Sequence, residues 1–144
     1  MKYDVQRNGV PMKYLHTMIR VNDLEKSIHF YKDILGMNLI SRDEYPDGKF
    51  TLAFLGYGTT KHDPCIELTY NWGRDQYNLG DAFGHIALSG KDIYKVCEQV
   101  KAAGGKVVRE PGPMKHGTTV IAFLEDPNGY KIELIQSANE SIPS

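Results

Sequence analysis

The stretch "GYKIELIQ", residues 129–136, predicts a β-strand in which a carboxylate lies among apolar side chains. The same tripeptide, Ile-Glu-Leu, occurs earlier in "CIELTY", residues 65–70, so Glu67 and Glu133 have matching surroundings. A buried, unpaired carboxylate is costly because its charge loses its hydration. We therefore expect each glutamate to face a partner that compensates its charge.

Outward from the two glutamates, the chain divides into halves with the same order of predicted elements, as in a duplication. Each half has a strand, an amphipathic helix and three further strands. In the first half these are residues 13–21, a helix with apolar positions from Leu24 to Leu35 that ends at Gly36, and strands 38–45, 50–57 and 65–70. In the second half they are residues 84–89, a helix from Ile93 that ends at Gly104-Gly105, and strands 106–111, 118–125 and 131–136.

This order predicts an α+β fold made of two βαβββ modules, whose mixed, curved sheets form barrel-like metal sites. The expected boundaries are an N-terminal extension 1–11, a first module 12–70, a linker 71–83, a second module 84–137 and a C-terminal tail 138–144.

Two histidines follow the same repeat as the glutamates. His16 lies in the first strand of one half and His85 in the first strand of the other. If each half curls, its histidine and glutamate meet on the concave side. Two imidazoles and two carboxylates without a thiolate suit an octahedral first-row divalent metal with two positions left for water or substrate.

Plainer interpretations exist for the same residues. Each histidine could be a hydrogen-bonded core residue, and an inward glutamate could pair with Arg20 or Lys131. The repeat-equivalent placement of all four favours the metal site. The other histidines have no repeat partners and are expected to face solvent, and the two cysteines are expected to be small core residues: His29, His62, His116, Cys65 and Cys97.

Composition excludes several classes of protein. The chain has 144 residues, 41% of them hydrophobic and 24% charged, as in ordinary globular proteins. A net charge of −1 argues against nucleic acid or an anionic membrane surface as a partner. Two cysteines are too few for a disulfide framework, so a cytoplasmic, reduced protein is expected.

Longer motifs carry a resemblance to a known family. The segments "LHTMIRVNDLEKSIHFYKDILGM", "AFLGYG", "IELTYNWG", "FGHIAL" and "EDPNGYKIELI" resemble glyoxalase I (lactoylglutathione lyase) of the short bacterial type, in the vicinal-oxygen-chelate superfamily. The resemblance extends from about Met12 to Gln136. It implies a metal-dependent lyase that isomerises the hemithioacetal of methylglyoxal and glutathione to S-lactoylglutathione, which detoxifies methylglyoxal.

The resemblance also implies roles for particular residues. It makes His16, Glu67, His85 and Glu133 the metal ligands, with Glu133 as the catalytic base and Glu67 as a second proton shuttle or permanent ligand. The reaction passes through an enediolate whose two oxygens a divalent metal stabilises. The implied substrate-binding residues are Arg20, Asn71, Arg109 and Lys115.

The metal and the assembly follow from the same resemblance. Family members with histidine at the position of His16 and a short linker use nickel or cobalt, whereas those with glutamine use zinc, so nickel is expected here. The resemblance favours a homodimer whose sites are shared between chains, although the sequence alone also permits a site within one chain. One departure is Asp81, where some relatives have an arginine that recognises a carboxylate.

Two alternatives remain open at this level. A metal-dependent dioxygenase or epimerase would share the fold, but dioxygenases of this type use two histidines and one carboxylate. A metal-free module that binds a small molecule would need neither the paired histidines nor the paired glutamates.

Overall fold

The computed structural model describes residues 9–137 and contains both predicted modules. Its elements are β1 His16–Arg20, α1 Leu24–Ile28 with a π-helical continuation His29–Ile34, β2 Asn38–Tyr45, β3 Phe50–Gly56, β4 Cys65–Asn71, β5 His85–Gly90, α2 Ile93–Ala102, β6 Lys106–Pro113, β7 Val120–Glu125 and β8 Lys131–Gln136. Most of the predicted extension 1–11 and the whole predicted tail 138–144 lie outside the described residues.

Each module contributes one four-stranded mixed sheet. The strand orders are β1-β4-β3-β2 and β5-β8-β7-β6. The first strand of each module pairs in parallel with the last, and the other pairings are antiparallel. The predicted α+β class is therefore confirmed, and both sheets are open rather than closed into barrels.

The helices begin where short polar side chains cap them. Asp23 accepts a hydrogen bond from the backbone N–H of Lys26, and Asp92 accepts one from that of Lys95, each at 3.1 Å. In each helix this cap satisfies a backbone donor that has no partner within the helix. Gly36 ends the first helical segment with a φ of 78°, a conformation that glycine adopts without steric cost.

Two details of the first module differ from the sequence prediction. The first strand begins at His16 rather than at residue 13, because its partner β4 begins at Cys65, directly opposite His16. The helix changes after Ile28 to a π-helical winding, in which the Leu35 N–H donates to the Phe30 carbonyl. Apolar spacing did not signal this change, because the spacing fits either winding over so few turns.

The turn before β8 packs against the first helix and joins the modules. The buried Asp126 carboxylate accepts a 2.7 Å hydrogen bond from the Tyr31 hydroxyl. Asn128 accepts one from the Asn22 N–H at 2.7 Å and donates one to the Ser27 hydroxyl at 3.1 Å. These bonds satisfy polar groups that would otherwise be buried without partners.

The core lies between the helices and one side of the sheets, which leaves the opposite sheet faces uncovered. Leu55, Leu68, Leu124 and Ile132 are fully buried on the helix side. Alternate residues of β5, beginning with His85, are exposed. The structure therefore presents the faces that carry the predicted ligands to the outside of the chain. Within residues 9–137, every helix is too short or too polar to cross a bilayer.

Candidate active site

The first histidine and glutamate meet on the uncovered face of the first sheet. β1 and β4 are adjacent, and Met18 lies opposite Glu67. Because side chains alternate with period two, His16 shares the face of Met18 and Glu67. The His16 Nε2 and Glu67 Oε1 atoms are 2.9 Å apart, and the two side chains are 33% and 16% exposed.

The second module repeats this arrangement. Ala87 lies opposite Glu133 in the parallel pair β5–β8, which places His85 and Glu133 on one face. The His85 Nε2 and Glu133 Oε1 atoms are 3.2 Å apart, with side-chain exposures of 41% and 17%. Glu133 thus has an imidazole partner. Lys131, considered above as its ion-pair partner, instead contacts Glu125 at 2.6 Å.

A phenylalanine ring packs against each imidazole, a contact that the sequence did not predict. The rings of His16 and Phe54 meet edge to face with centroids 5.3 Å apart, and those of His85 and Phe123 do so at 5.4 Å. Each phenylalanine lies directly opposite the glutamate of its module in the sheet register. The available signal was the tripeptide Ala-Phe-Leu, which occurs at residues 53–55 and again at 122–124.

The two His–Glu pairs do not meet within one chain. Among residues 9–137, no group of three or more histidine, cysteine, aspartate and glutamate side chains lies close enough to hold one metal ion. Each pair offers one imidazole nitrogen and one carboxylate oxygen, donors that suit a divalent first-row metal. The donor set therefore fits a metal, but each face supplies only half of a four-ligand site.

Arg20 and Asn71 lie at the end of the first sheet, beyond the His16–Glu67 pair. Arg20 is exposed, lies opposite Thr69, and its carbonyl accepts a 2.8 Å hydrogen bond from the Tyr130 hydroxyl. The Asn71 side chain donates to the Tyr77 hydroxyl at 2.9 Å. Both predicted binding residues thus lie at the same end of the face that carries Glu67.

Arg109 lies on the corresponding face of the second sheet, opposite Phe123. Its Nη1 donates to the Ile121 carbonyl at 2.7 Å and to the Gly112 carbonyl at 3.1 Å, and its Nη2 donates to the Pro113 carbonyl at 3.0 Å. The guanidinium therefore holds the irregular β6–β7 pairing together. Lys115 is exposed in the turn between these strands.

The remaining predictions for polar residues agree with the structure. His29, His62 and His116 are exposed. Cys65 and Cys97 are buried free cysteines, and burial raises the pKa of both thiols, which makes them poor nucleophiles.

The duplicated fold agrees with the comparison to known families. The model of the Glyoxalase/Bleomycin resistance protein/Dioxygenase superfamily matches residues 13–134, which span both modules. The chain is therefore a member of this superfamily.

Two close relatives indicate which family of this superfamily the chain belongs to. The chain is 65% identical over 129 residues to a Synechocystis protein named "Probable lactoylglutathione lyase", covering 90% of this chain and 98% of that protein. It is 59% identical over 133 residues to the lactoylglutathione lyase of Neisseria meningitidis serogroup A, covering 91% and 96%. The chain belongs to the glyoxalase I, or lactoylglutathione lyase, family of the short bacterial type, and it is accordingly an enzyme.

A solved structure agrees in fold and differs in length. Glyoxalase I from Zea mays superposes with a TM-score of 0.85 at 49% identity over 88% of this chain. The present chain spans only 45% of the maize chain.

Proposed function

We propose that this enzyme isomerises the hemithioacetal of methylglyoxal and glutathione to S-lactoylglutathione, and so removes methylglyoxal. The observation that carries the proposal is the pair of equivalent His–Glu contacts, His16–Glu67 and His85–Glu133, on two uncovered sheet faces. The names of the close relatives support the same reaction. A cytoplasmic location, where thiols stay reduced, accords with a glutathione-derived substrate.

The active site is shared between two copies of the chain. One chain holds its two His–Glu pairs apart, and each pair is too small for a catalytic metal site. In a two-fold dimer, the face with His16 and Glu67 covers the partner's other face, and the reverse contact forms a second, identical site. A maize chain about twice as long, of which the present chain spans 45%, has the length expected for two such chains joined together.

The assembled site has two imidazole nitrogens and two carboxylate oxygens from His16, Glu67, His85 and Glu133. When a divalent metal is bound there, it stabilises negative charge that develops on the two substrate oxygens. Nickel is the proposed metal, with cobalt as the next choice. Four protein ligands leave two positions for water or substrate in octahedral coordination, whereas they fill a tetrahedral zinc site.

Glu133 is the proposed base. Its carboxylate accepts the proton from the substrate carbon next to sulfur and returns it to the adjacent carbon, while the hydroxyl proton moves to the oxygen of that adjacent carbon, so the reaction only rearranges atoms. His85 contacts this carboxylate at 3.2 Å, and Phe123 packs against the imidazole, which limits the directions in which both can turn. Glu67 has the same surroundings and serves as a second shuttle or a permanent ligand.

Basic and polar residues at the ends of the sheets bind the glutathione moiety. Arg20 and Asn71 contact the γ-glutamyl end, because they lie together beyond the ligand pair of the first sheet. Lys115, exposed in the β6–β7 turn, approaches the glycyl end. Arg109 either contacts the carboxylate at the glycyl end of glutathione or shapes the turn that carries Lys115.

An absorbance assay on metal-stripped protein tests the reaction and the metal together. Methylglyoxal and glutathione are supplied, and nickel, cobalt or zinc is added back. We expect formation of the thioester product, with nickel and cobalt restoring much more activity than zinc. Equal or higher activity with zinc would contradict the metal assignment. No product with any metal, in protein that binds no stoichiometric metal, would instead favour a small-molecule binding module.

A further inference from the structure

Arg74 lies in the turn that follows β4 and contacts the ring of a tyrosine. Its backbone N–H donates to the Asn71 carbonyl at 3.0 Å, which forms a tight turn after the strand. Its guanidinium carbon lies 4.2 Å from the centroid of the Tyr77 ring. A guanidinium stacked on an aromatic ring is partly ordered before any ligand binds.

The same tyrosine connects Arg74 to a proposed binding residue. The Tyr77 hydroxyl accepts the 2.9 Å hydrogen bond from the Asn71 side-chain amide. Tyr77 therefore fixes both the amide of Asn71 and the guanidinium of Arg74. Arg20 lies on the neighbouring strand β1, so two arginines are positioned at the end of the sheet where Asn71 lies.

Neither arginine is neutralised by a carboxylate within residues 9–137, where the ion pairs involve other side chains. Within the same residues, Arg74 makes one side-chain hydrogen bond, from Nε to the Gln76 carbonyl at 3.3 Å. Its two terminal nitrogens can therefore bind an oxyanion. Asp81, seven residues further along the chain, cannot do so, because its own charge is negative.

We propose that Arg74 is a substrate-binding residue that contacts the α-carboxylate at the γ-glutamyl end of the thiol cosubstrate, opposite Arg20. The inference rests on the proposed function and deepens its substrate recognition. One guanidinium from β1 and one from the turn after β4, at the end of the sheet where Asn71 lies, together bind one carboxylate, and Arg74 supplies the positive charge that Asp81 does not. Its role is in substrate affinity rather than in proton transfer.

Calorimetric binding of S-hexylglutathione to the metal-loaded enzyme tests the contact without turnover. We expect Arg74→Gln to raise the Kd about fivefold to tenfold, which is less than for a shielded hydrogen bond to a charged group, because the site is exposed. Arg42→Gln is the matched control. Arg42 is an arginine of the first module that pairs with Glu25 at 2.6 Å and lies opposite Ala53 rather than on the face of Phe54.

Two analogues identify the group that Arg74 contacts. S-hexyl-(4-aminobutyryl)-cysteinylglycine lacks the α-carboxylate, and S-hexyl-glutaryl-cysteinylglycine keeps that carboxylate but lacks the amine. Arg74→Gln is expected to weaken binding of the glutaryl compound as it does S-hexylglutathione, and to leave the 4-aminobutyryl compound unaffected. Equal weakening for both compounds, an unchanged Kd for S-hexylglutathione, or the same loss in Arg42→Gln would overturn the proposal.

The wild-type enzyme separates this proposal from the proposed reaction. Turnover of the hemithioacetal with no Arg74 effect on binding overturns only the role of Arg74. If S-hexylglutathione binding depends on Arg74 and on the α-carboxylate, but no metal-loaded form turns over the hemithioacetal, only the proposed reaction is contradicted. A wild-type enzyme that fails to bind S-hexylglutathione overturns both.

Discussion

The repeated tripeptide Ile-Glu-Leu has one physical explanation in both modules. Each glutamate lies on the uncovered side of its sheet, mostly but not fully shielded, with an imidazole nitrogen about one hydrogen bond away. The flanking isoleucine and leucine point to the opposite, buried side. The tripeptide thus places one polar ligand between two core residues, which is the pattern of a strand with only one face in the core.

Glu133→Gln is expected to reduce turnover by about 10²–10⁴-fold, because an amide cannot carry the proton. The measurement is kcat at saturating metal, with the bound metal determined on the same sample. Glu125→Gln is the control, since Glu125 lies in the adjacent strand and pairs with Lys131. If fully metal-loaded Glu133→Gln kept more than about a tenth of wild-type kcat, another residue would be the base.

The elements around the site depend on contacts that reach beyond single strands. Bulges interrupt the β6–β7 pairing around Arg109, and Arg109 bridges them through main-chain carbonyls. On the opposite side of the fold, the turn at Asp126 anchors the second module to the first helix. The Arg109 contacts shape the β6–β7 turn, and the Asp126 turn packs the second module against the first helix.

Arg109→Gln is expected to loosen the β6–β7 turn, because the shorter amide cannot bridge three carbonyls. Hydrogen exchange should become faster at the Met114 amide, which donates to the Thr119 carbonyl at 2.9 Å, and at the Gly117 amide.

Arg109→Lys distinguishes this role from a direct substrate contact. Lysine keeps the charge but not the planar fork. A lysine variant with normal KM and unchanged exchange would mean that Arg109 acts through its charge on the substrate, not through the turn.

Tyr31→Phe is expected to destabilise the protein by about 1–3 kcal/mol at pH 7, because the buried Asp126 carboxylate loses a donor. Burial, reinforced by the Asp126 charge, raises the pKa of Tyr31 well above the ordinary value of 10.0. Tyr31 therefore stabilises the folded state fully below pH 10. Its contribution to the free energy of unfolding declines as pH rises further, because Tyr31 ionises more readily in the unfolded chain than in the folded protein.

Urea unfolding at pH 7 and pH 11 measures both parts of this effect. The difference in unfolding free energy between wild type and Tyr31→Phe should be smaller at pH 11. A difference that stayed constant or grew would show that Tyr31 ionises as easily in the folded protein.

At the scale of the molecule, the helix side of both modules forms one core, while the sheet faces that carry the two His–Glu pairs point away from it. Exposed apolar side chains accompany these faces, among them Met18 and Phe83. Apolar surface of this kind is expected where a second chain packs. The proposed dimer therefore covers the exposed faces and completes both metal sites in one step.

Mixing two inactive variants tests the shared site. His16→Ala and His85→Ala chains are refolded alone and as an equal mixture. In a mixed dimer with shared sites, one site carries both defects and the other carries none. Random pairing makes about half of the dimers mixed, so activity should recover to roughly a quarter of wild type. No recovery despite confirmed mixed dimers would place each site within one chain.

Sequence by itself determined the duplicated order of elements and the placement of His16, Glu67, His85 and Glu133 on equivalent strands. These features follow from local periodicity, which acts over a few residues. Only the tertiary structure decided that the two pairs stay apart in one chain, that phenylalanines support the imidazoles, and that Arg109 bonds to the main chain while Arg74 stacks on Tyr77. Such contacts depend on how strands, turns and modules pack. The repeated Ala-Phe-Leu marks the two phenylalanines, but periodicity within a few residues does not say which rings they contact.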